Sequence, residues 1–278
     1  MKKMLTLFSL VCFVPFFSSS YAQGIYPNPS PHTILKQEVG NTNIEIRYDR
    51  PSARGREIFG KLVPYGKLWR TGAAYATTIS FDKPVDISGN TVPAGKYTLL
   101  SIPGKDSWEI ILNADNTLYG TNDYKKAKDT LRFTIKSKTT SHFQQSLTFS
   151  FDIIPNDAIL SIAWENTLVS FEIKTNTNQD IITYMNTEIF TEKETNLDMY
   201  ISGADFMKTY GMSLDSALVL GDMAVAKQEN EYTRRIRMEI YEALGQTDNA
   251  KKEIEAALLY IKNHPTYSEK DKALSNKF

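Results

Sequence analysis

Between residues 50 and 73 the chain carries Arg50, Arg54, Arg56, Lys61, Lys67 and Arg70 against a single carboxylate, Glu57, with Tyr65 and Trp69 set among them. Guanidinium groups offer planar, bidentate donors to carboxylate or phosphate, and an aromatic ring offers a stacking face. Arg50, Arg54, Arg56, Tyr65, Trp69 and Arg70 are therefore the candidate ligand-binding residues, for a small molecule, a glycan or an anion. A second reading uses the same residues structurally. A long irregular segment must satisfy its backbone groups, and arginines do so by donating to carbonyls and to carboxylates such as Asp49. On that reading Trp69 is a core anchor and Arg70 holds the loop through such bonds.

Elsewhere, spacings that support known chemistry are missing. No His-Glu-x-x-His occurs, and His32, His142 and His264 stand apart, so each reads as a loop or surface histidine and no metal site is expected. There is no Gly-x-Ser-x-Gly elbow. From Gly89 to Gly95-Lys96 the chain resembles a phosphate loop, but Tyr97 stands where Ser or Thr would hold magnesium and a strand pattern follows. That segment reads as a hairpin turn. A pair of carboxylates for glycoside hydrolysis depends on spatial separation and stays open. No cofactor and no catalytic residue is assigned.

Elements of two kinds must position these residues. From 33 to 174 apolar and polar residues alternate, as in Ile44, Ile46 and Tyr48, in Leu131, Phe133 and Ile135, and in Val169, Phe171 and Ile173. Turn residues punctuate the strands at Ser88-Gly89-Asn90, Pro93-Ala94-Gly95, Pro103-Gly104, Pro155-Asn156-Asp157 and Glu165-Asn166. This predicts a mainly β domain, an antiparallel sandwich or jelly roll. A hairpin of 97–102 and 108–112 is apolar on both faces and belongs near the centre. After the polar run 175–179, which reads as a linker, the period becomes helical. Stripes run through Ile181, Met185 and Ile189, through Leu197, Tyr200 and Ile201, and through Leu214, Ala217 and Leu218. Two further helices follow, one ending near Leu244 with Gly245 behind it and one running from Asp248 to before Pro265. Tyr241, Gly245, Ala250, Ile254 and Ala257 are similar to the second half of a tetratricopeptide repeat, although Arg234 and Met238 depart from it. A small helical hairpin bundle is expected, with a protein partner as its natural use.

The N-terminus reads as an export signal. Lys2 and Lys3 precede an apolar run from 4 to 17, and Ser20-Tyr21-Ala22 places small residues for a cut before Gln23. The expected organisation is thus a signal peptide over 1–22, a β domain over 23–176 and a helical domain over 177–278, in a periplasmic or secreted protein. A retained anchor, or acylation of Cys12, is the rival reading; Cys12 lacks the small residues expected ahead of a lipid-attachment site. Since Cys12 is the sole cysteine, the mature chain would lack disulfides and thiolate chemistry. Without Lys2 and Lys3, 30 basic residues face 32 acidic ones, so no global field favours nucleic acid. No segment beyond the signal approaches the roughly 18 apolar residues of a membrane span.

Several strings in one order carry a family resemblance: Arg50-Pro51-Ser52, Gly55-Arg56, Ile58-Phe59-Gly60, Leu62-Val63-Pro64-Tyr65-Gly66, Trp69-Arg70-Thr71-Gly72-Ala73, Ala94-Gly95-Lys96-Tyr97, Ile102-Pro103-Gly104 and Trp108 with Leu112-Asn113. Over about 30–174 the chain resembles the DUF2911 family of exported Bacteroidetes proteins. The resemblance implies no activity, since the family is named for having none known. It also implies Asn after Gly-Ala, where this chain has Ala74 followed by Tyr75. Two functional classes remain: a non-catalytic envelope protein that binds a ligand, and a hydrolase-like enzyme acting on an envelope or extracellular glycan.

Overall fold

The computed structural model describes residues 27–191, 193 and 195–270, so the expected export signal, its expected cut and Cys12 lie outside the described residues. Alternating sequence becomes nine antiparallel strands: β1 (His32–Val39), β2 (Thr42–Asp49), β3 (Ala73–Phe81), β4 (Val85–Ile87), β5 (Asn90–Val92), β6 (Gly95–Pro103), β7 (Ser107–Asn113), β8 (Asp129–Ile154) and β9 (Asp157–Thr175). They form one continuous open sheet in the order β1-β2-β3-β6-β7-β8-β9-β4-β5, rather than two separate sheets. The main core lies on one face of this sheet, with Ile44, Ile46, Leu99, Trp108, Ile110, Leu160 and Ile173 fully buried. On the other face Leu100 and Ile111 meet Ala76 and Leu118 in a smaller core. This explains why the β6–β7 hairpin is apolar on both sides.

Glu165-Asn166 is no turn. It lies inside β9, where Glu165 takes φ +50° and the ladder to β8 changes register. Ahead of it Ala158, Leu160, Ile162 and Trp164 face the core; beyond it Val169, Phe171 and Ile173 do. The interval from 164 to 169 is odd, so an irregularity here is what keeps both halves of a period-two strand facing inward.

Five helices follow: α1 (Thr177–Tyr184), which runs on into a π-helical turn at Met185–Ile189, then α2 (Leu197–Thr209), α3 (Leu214–Lys227), α4 (Glu231–Ala243) and α5 (Thr247–Asn263). They bury their own core around Tyr200, Ala204, Leu220, Ala224, Ile236 and Ile240. Gly245 ends α4 as its position suggests: at φ +72° its N–H donates to Glu242 and that of Gln246 to Tyr241. Glu253, buried on α5, accepts from Arg234 at 3.0 Å and Arg237 at 2.7 Å. Arg234 thus crosses to α5 where a tetratricopeptide repeat would place an aromatic.

The polar run at 175–179 is a bonded joint. Thr177 Oγ1 accepts from the Asn41 backbone at 3.0 Å and donates to the Asn41 side chain, while Asn41 Nδ2 donates to Asp180. Gly40 sits so close that a Cβ there would lie 2.1 Å from Thr177 Oγ1. Among the described residues, no helix is long and apolar enough to cross a membrane.

Candidate functional site

The cationic segment 50–72 is irregular, as its glycines and prolines require, and it is pinned throughout. Ser52 bridges to Ser146, and Ala53 N donates to Gln145 O at 2.7 Å. Ile58 N donates to the Glu165 carboxylate at 3.0 Å, so the irregularity in β9 also holds this segment. Ala53, Ile58, Phe59 and Val63 are buried in the main core. Phe59 stands among all three tryptophans of the chain, its ring 5.0 Å from Trp108, 6.1 Å from Trp69 and 6.2 Å from Trp164.

Beside this aromatic cluster opens a cleft of about 540 Å³. Trp69 and Trp164 form part of its wall, and Arg54, Arg56, Lys67 and Arg70 bring it four cationic side chains. Among the described residues none of its lining side chains is acidic. Such a lining raises the local concentration of anions and stabilises a bound negative charge.

The six candidate residues separate into different roles. Arg50 lies outside the cleft and is structural, its Nε donating to Leu147 O at 3.0 Å and its guanidinium to Thr148 Oγ1 at 2.8 Å. Arg54 donates to Pro29 O, and Arg56 to Ala53 O and Ser52 O, yet both line the cleft and keep further N–H groups for a ligand. Tyr65 is outside, its ring packed over Gly60, where φ is +90° and a Cβ would fall 2.9 Å from the ring. Trp69 is half-buried rather than enclosed. Its backbone pairs both ways with Ser101 and its indole donates to Gly72 O at 3.1 Å.

Arg70 reverses its expected role. Its Nε is buried without a hydrogen-bond partner among the described residues, so it does not tie the loop to carbonyls or a carboxylate. Nη1 lies 3.7 Å from where a Cβ of Gly120 would sit, which places the guanidinium against the 114–125 segment. An unmet buried donor is expensive, by about 1–3 kcal/mol, unless something supplies an acceptor.

The 114–125 segment is itself firmly held. Asp115 accepts from Lys128 at 2.7 Å and from the Thr117 hydroxyl at 2.7 Å, and these bonds hold its carboxyl down at about 2. Tyr124 donates to Asp129 at 2.7 Å; burial and then that bond push its phenol well above the ordinary range. Pro29, Ser30, Thr121 and Trp164 are cleft residues not singled out in the sequence, and Lys67, counted there among the cations of the segment, joins the candidates. A second tryptophan beside a strand irregularity was the available signal for Trp164.

His32 is a surface histidine as expected, and it also stands beside a buried carboxylate: Nδ1 lies 3.0 Å from Asp49 Oδ1, and Asp49 Oδ2 accepts from Tyr75 N at 3.2 Å. Among the described residues, no group of three His, Cys, Asp or Glu is placed to hold a metal ion.

The sheet that carries the cleft coincides with a family match, because the description "Protein of unknown function (DUF2911)" fits residues 30–173. The chain belongs to the DUF2911 family. The DUF2911 region begins just before β1, ends within β9 and leaves the five helices outside. All the cleft-lining residues except Pro29 fall within it. No curated protein and no solved structure matches the chain.

Proposed function

We propose that this DUF2911 protein is exported and serves as a non-catalytic module holding an anionic small molecule or glycan in the cleft beside Trp69 and Trp164. One observation carries the reading: four cationic side chains, Arg54, Arg56, Lys67 and Arg70, and no acidic one line the cleft. A carboxylate, phosphate or sulfate in the cleft would accept from the guanidinium N–H groups that line it, in the planar geometry a guanidinium prefers. Export to the periplasm or beyond rests on Lys2, Lys3, the apolar run 4–17 and the cut after Ala22. The helical region is read as the contact for a protein partner, through the antiparallel α4–α5 hairpin and its tetratricopeptide-like small residues.

Intrinsic fluorescence tests the cleft directly, since all three tryptophans stand within one cluster at its edge. Titration with carboxylate, phosphate and sulfate compounds should change the emission of the parent protein and leave Arg70→Gln unaffected. Equal responses of the two proteins would defeat the proposal.

A hydrolase acting on a glycan is the second reading, favoured by the His32–Asp49 pair, whose geometry is that of an oriented general base. Turnover by the parent that is lost in His32→Ala would establish it. Binding without turnover would sink it.

A further inference from the structure

Tyr75 and Tyr119 are 65% and 61% exposed, and their rings meet edge to face at 5.0 Å and 84°. Single exposed aromatics are ordinary, but two held together in water point to a contact surface. Their immediate neighbours fix them: Ala76 N donates to Leu118 O at 3.3 Å, and both residues are buried in the smaller core. The pair is a rigid corner on a firm base.

This corner adjoins the cationic cleft. Ala73 and Thr121 line the cleft, and each stands two residues from one of the tyrosines, at most about 7 Å along the chain. Gly120, between Tyr119 and Thr121, is the residue against which Arg70 packs. Tyr75 also borders a hollow of about 270 Å³ that includes the cations Arg47 and Lys96, the His32–Asp49 pair, Asn116 and Thr117. The aromatic corner therefore adjoins both an anion-binding wall and a polar hollow.

We infer that the cleft extends into an aromatic subsite at Tyr75 and Tyr119, and that its ligand is an acidic glycan of more than one sugar. This rests on the anion-binding reading of the cleft and names its ligand class. A carboxylate or sulfate sits at Arg70, and the next sugar lies on the tyrosines. A planar base stacks best on parallel rings, whereas rings at 84° present one face and one edge. A pyranose suits that corner. Its C–H groups lie on an aromatic face, and its rim of hydroxyls reaches the tyrosine hydroxyls and the polar groups of the hollow.

Calorimetric titration of the purified protein tests the inference with uronate and sulfated oligosaccharides from mono- to tetrasaccharide, a neutral tetrasaccharide, and AMP. In at least one acidic series, affinity should rise about tenfold from mono- to trisaccharide, the equivalent of one well-placed aromatic contact. The combined variant Tyr75→Ala, Tyr119→Ala should keep its melting temperature, because both rings are mostly exposed, and should lose that rise. Arg70→Gln should lose binding at every length. An Arg70-dependent response without any gain from chain length overturns the glycan inference and leaves the anion site standing. A gain that survives in the tyrosine variant, or tyrosine-dependent binding of AMP in preference to the glycans, also overturns it. If no anion binds, both readings fall.

Discussion

The indoles of Trp69 and Trp164 lie 6.0 Å apart and within 20° of parallel, one from an irregular loop and the other from a central stretch of β9. This contact joins two segments far apart in sequence and gives the cleft an apolar wall beside its cations. Each ring therefore serves the core on one side and the cleft on the other.

Trp69→Ala is expected to lower stability by about 3 kcal/mol, at the low end for removal of a large aromatic because the ring is only half-buried. Trp69→Phe should recover part of the loss, although it forfeits the bond to Gly72 O. Urea unfolding of the three proteins under one buffer measures both. A loss below about 0.5 kcal/mol in the alanine variant, the usual effect of a surface change, would mean that the ring only decorates the cleft.

Arg50 and Arg70 should part company. Arg50→Met removes donors from Leu147 O and Thr148 Oγ1 and should cost about 1–3 kcal/mol. Arg70→Met removes a buried donor that has no partner, so stability should hold or rise by about 1 kcal/mol while anion binding disappears. Melting curves and an anion titration on both variants decide the matter. A marked loss of stability in Arg70→Met would restore the structural role first expected of it.

Ala74 adopts φ +45°, in the left-handed region that non-glycine residues other than Asn and Asp seldom enter. The Asn implied there by the family resemblance thus has a backbone rationale. Ala74→Gly and Ala74→Asn should each raise stability by up to about 1 kcal/mol. Unchanged or lower denaturation midpoints would show that the strain is relieved in some other way.

Asp115 sets an acid limit on the 114–125 segment. Its folded carboxyl is depressed from 3.8 to about 2 by hydrogen bonds from Lys128 and Thr117. A depressed carboxylate contributes stability above its unfolded value, and that contribution fades as pH falls from about 3.8 to about 2. Asp115→Asn should therefore be less stable than the parent at neutral pH and converge with it near the lower end of this window. A stability gap that stays constant down to that end would assign the effect to the neutral hydrogen bonds alone.

How much of this was legible beforehand depended on whether the cause was local. Gly245 ends α4 through bonds within four residues of itself, and the alternation of Ile44, Ile46 and Tyr48 marks a buried face without reference to any partner. By contrast, Arg50 and Arg70 share residue type and segment. What separates them is a carbonyl at Leu147, 97 residues away, which no spacing announces. The exposure of His32 is legible locally, but its partner Asp49 is not, because the pairing that brings them opposite each other belongs to the β1–β2 ladder. Glu165-Asn166 carried turn chemistry correctly, since positive φ serves a strand irregularity as well as a hairpin.

The bonds that hold the 50–72 segment join residues 94 and 107 positions apart, at Ser52–Ser146 and Ile58–Glu165. The β6–β7 and β8–β9 hairpins, in contrast, close over short turns. Loop-closure entropy delays pairings of long sequence separation, so the hairpins form early and this segment docks late. Both walls of the cleft exist only after that docking. On the proposed anion-binding reading the site is therefore expected to be completed at the end of folding, and an anion present during refolding should act on the final step alone.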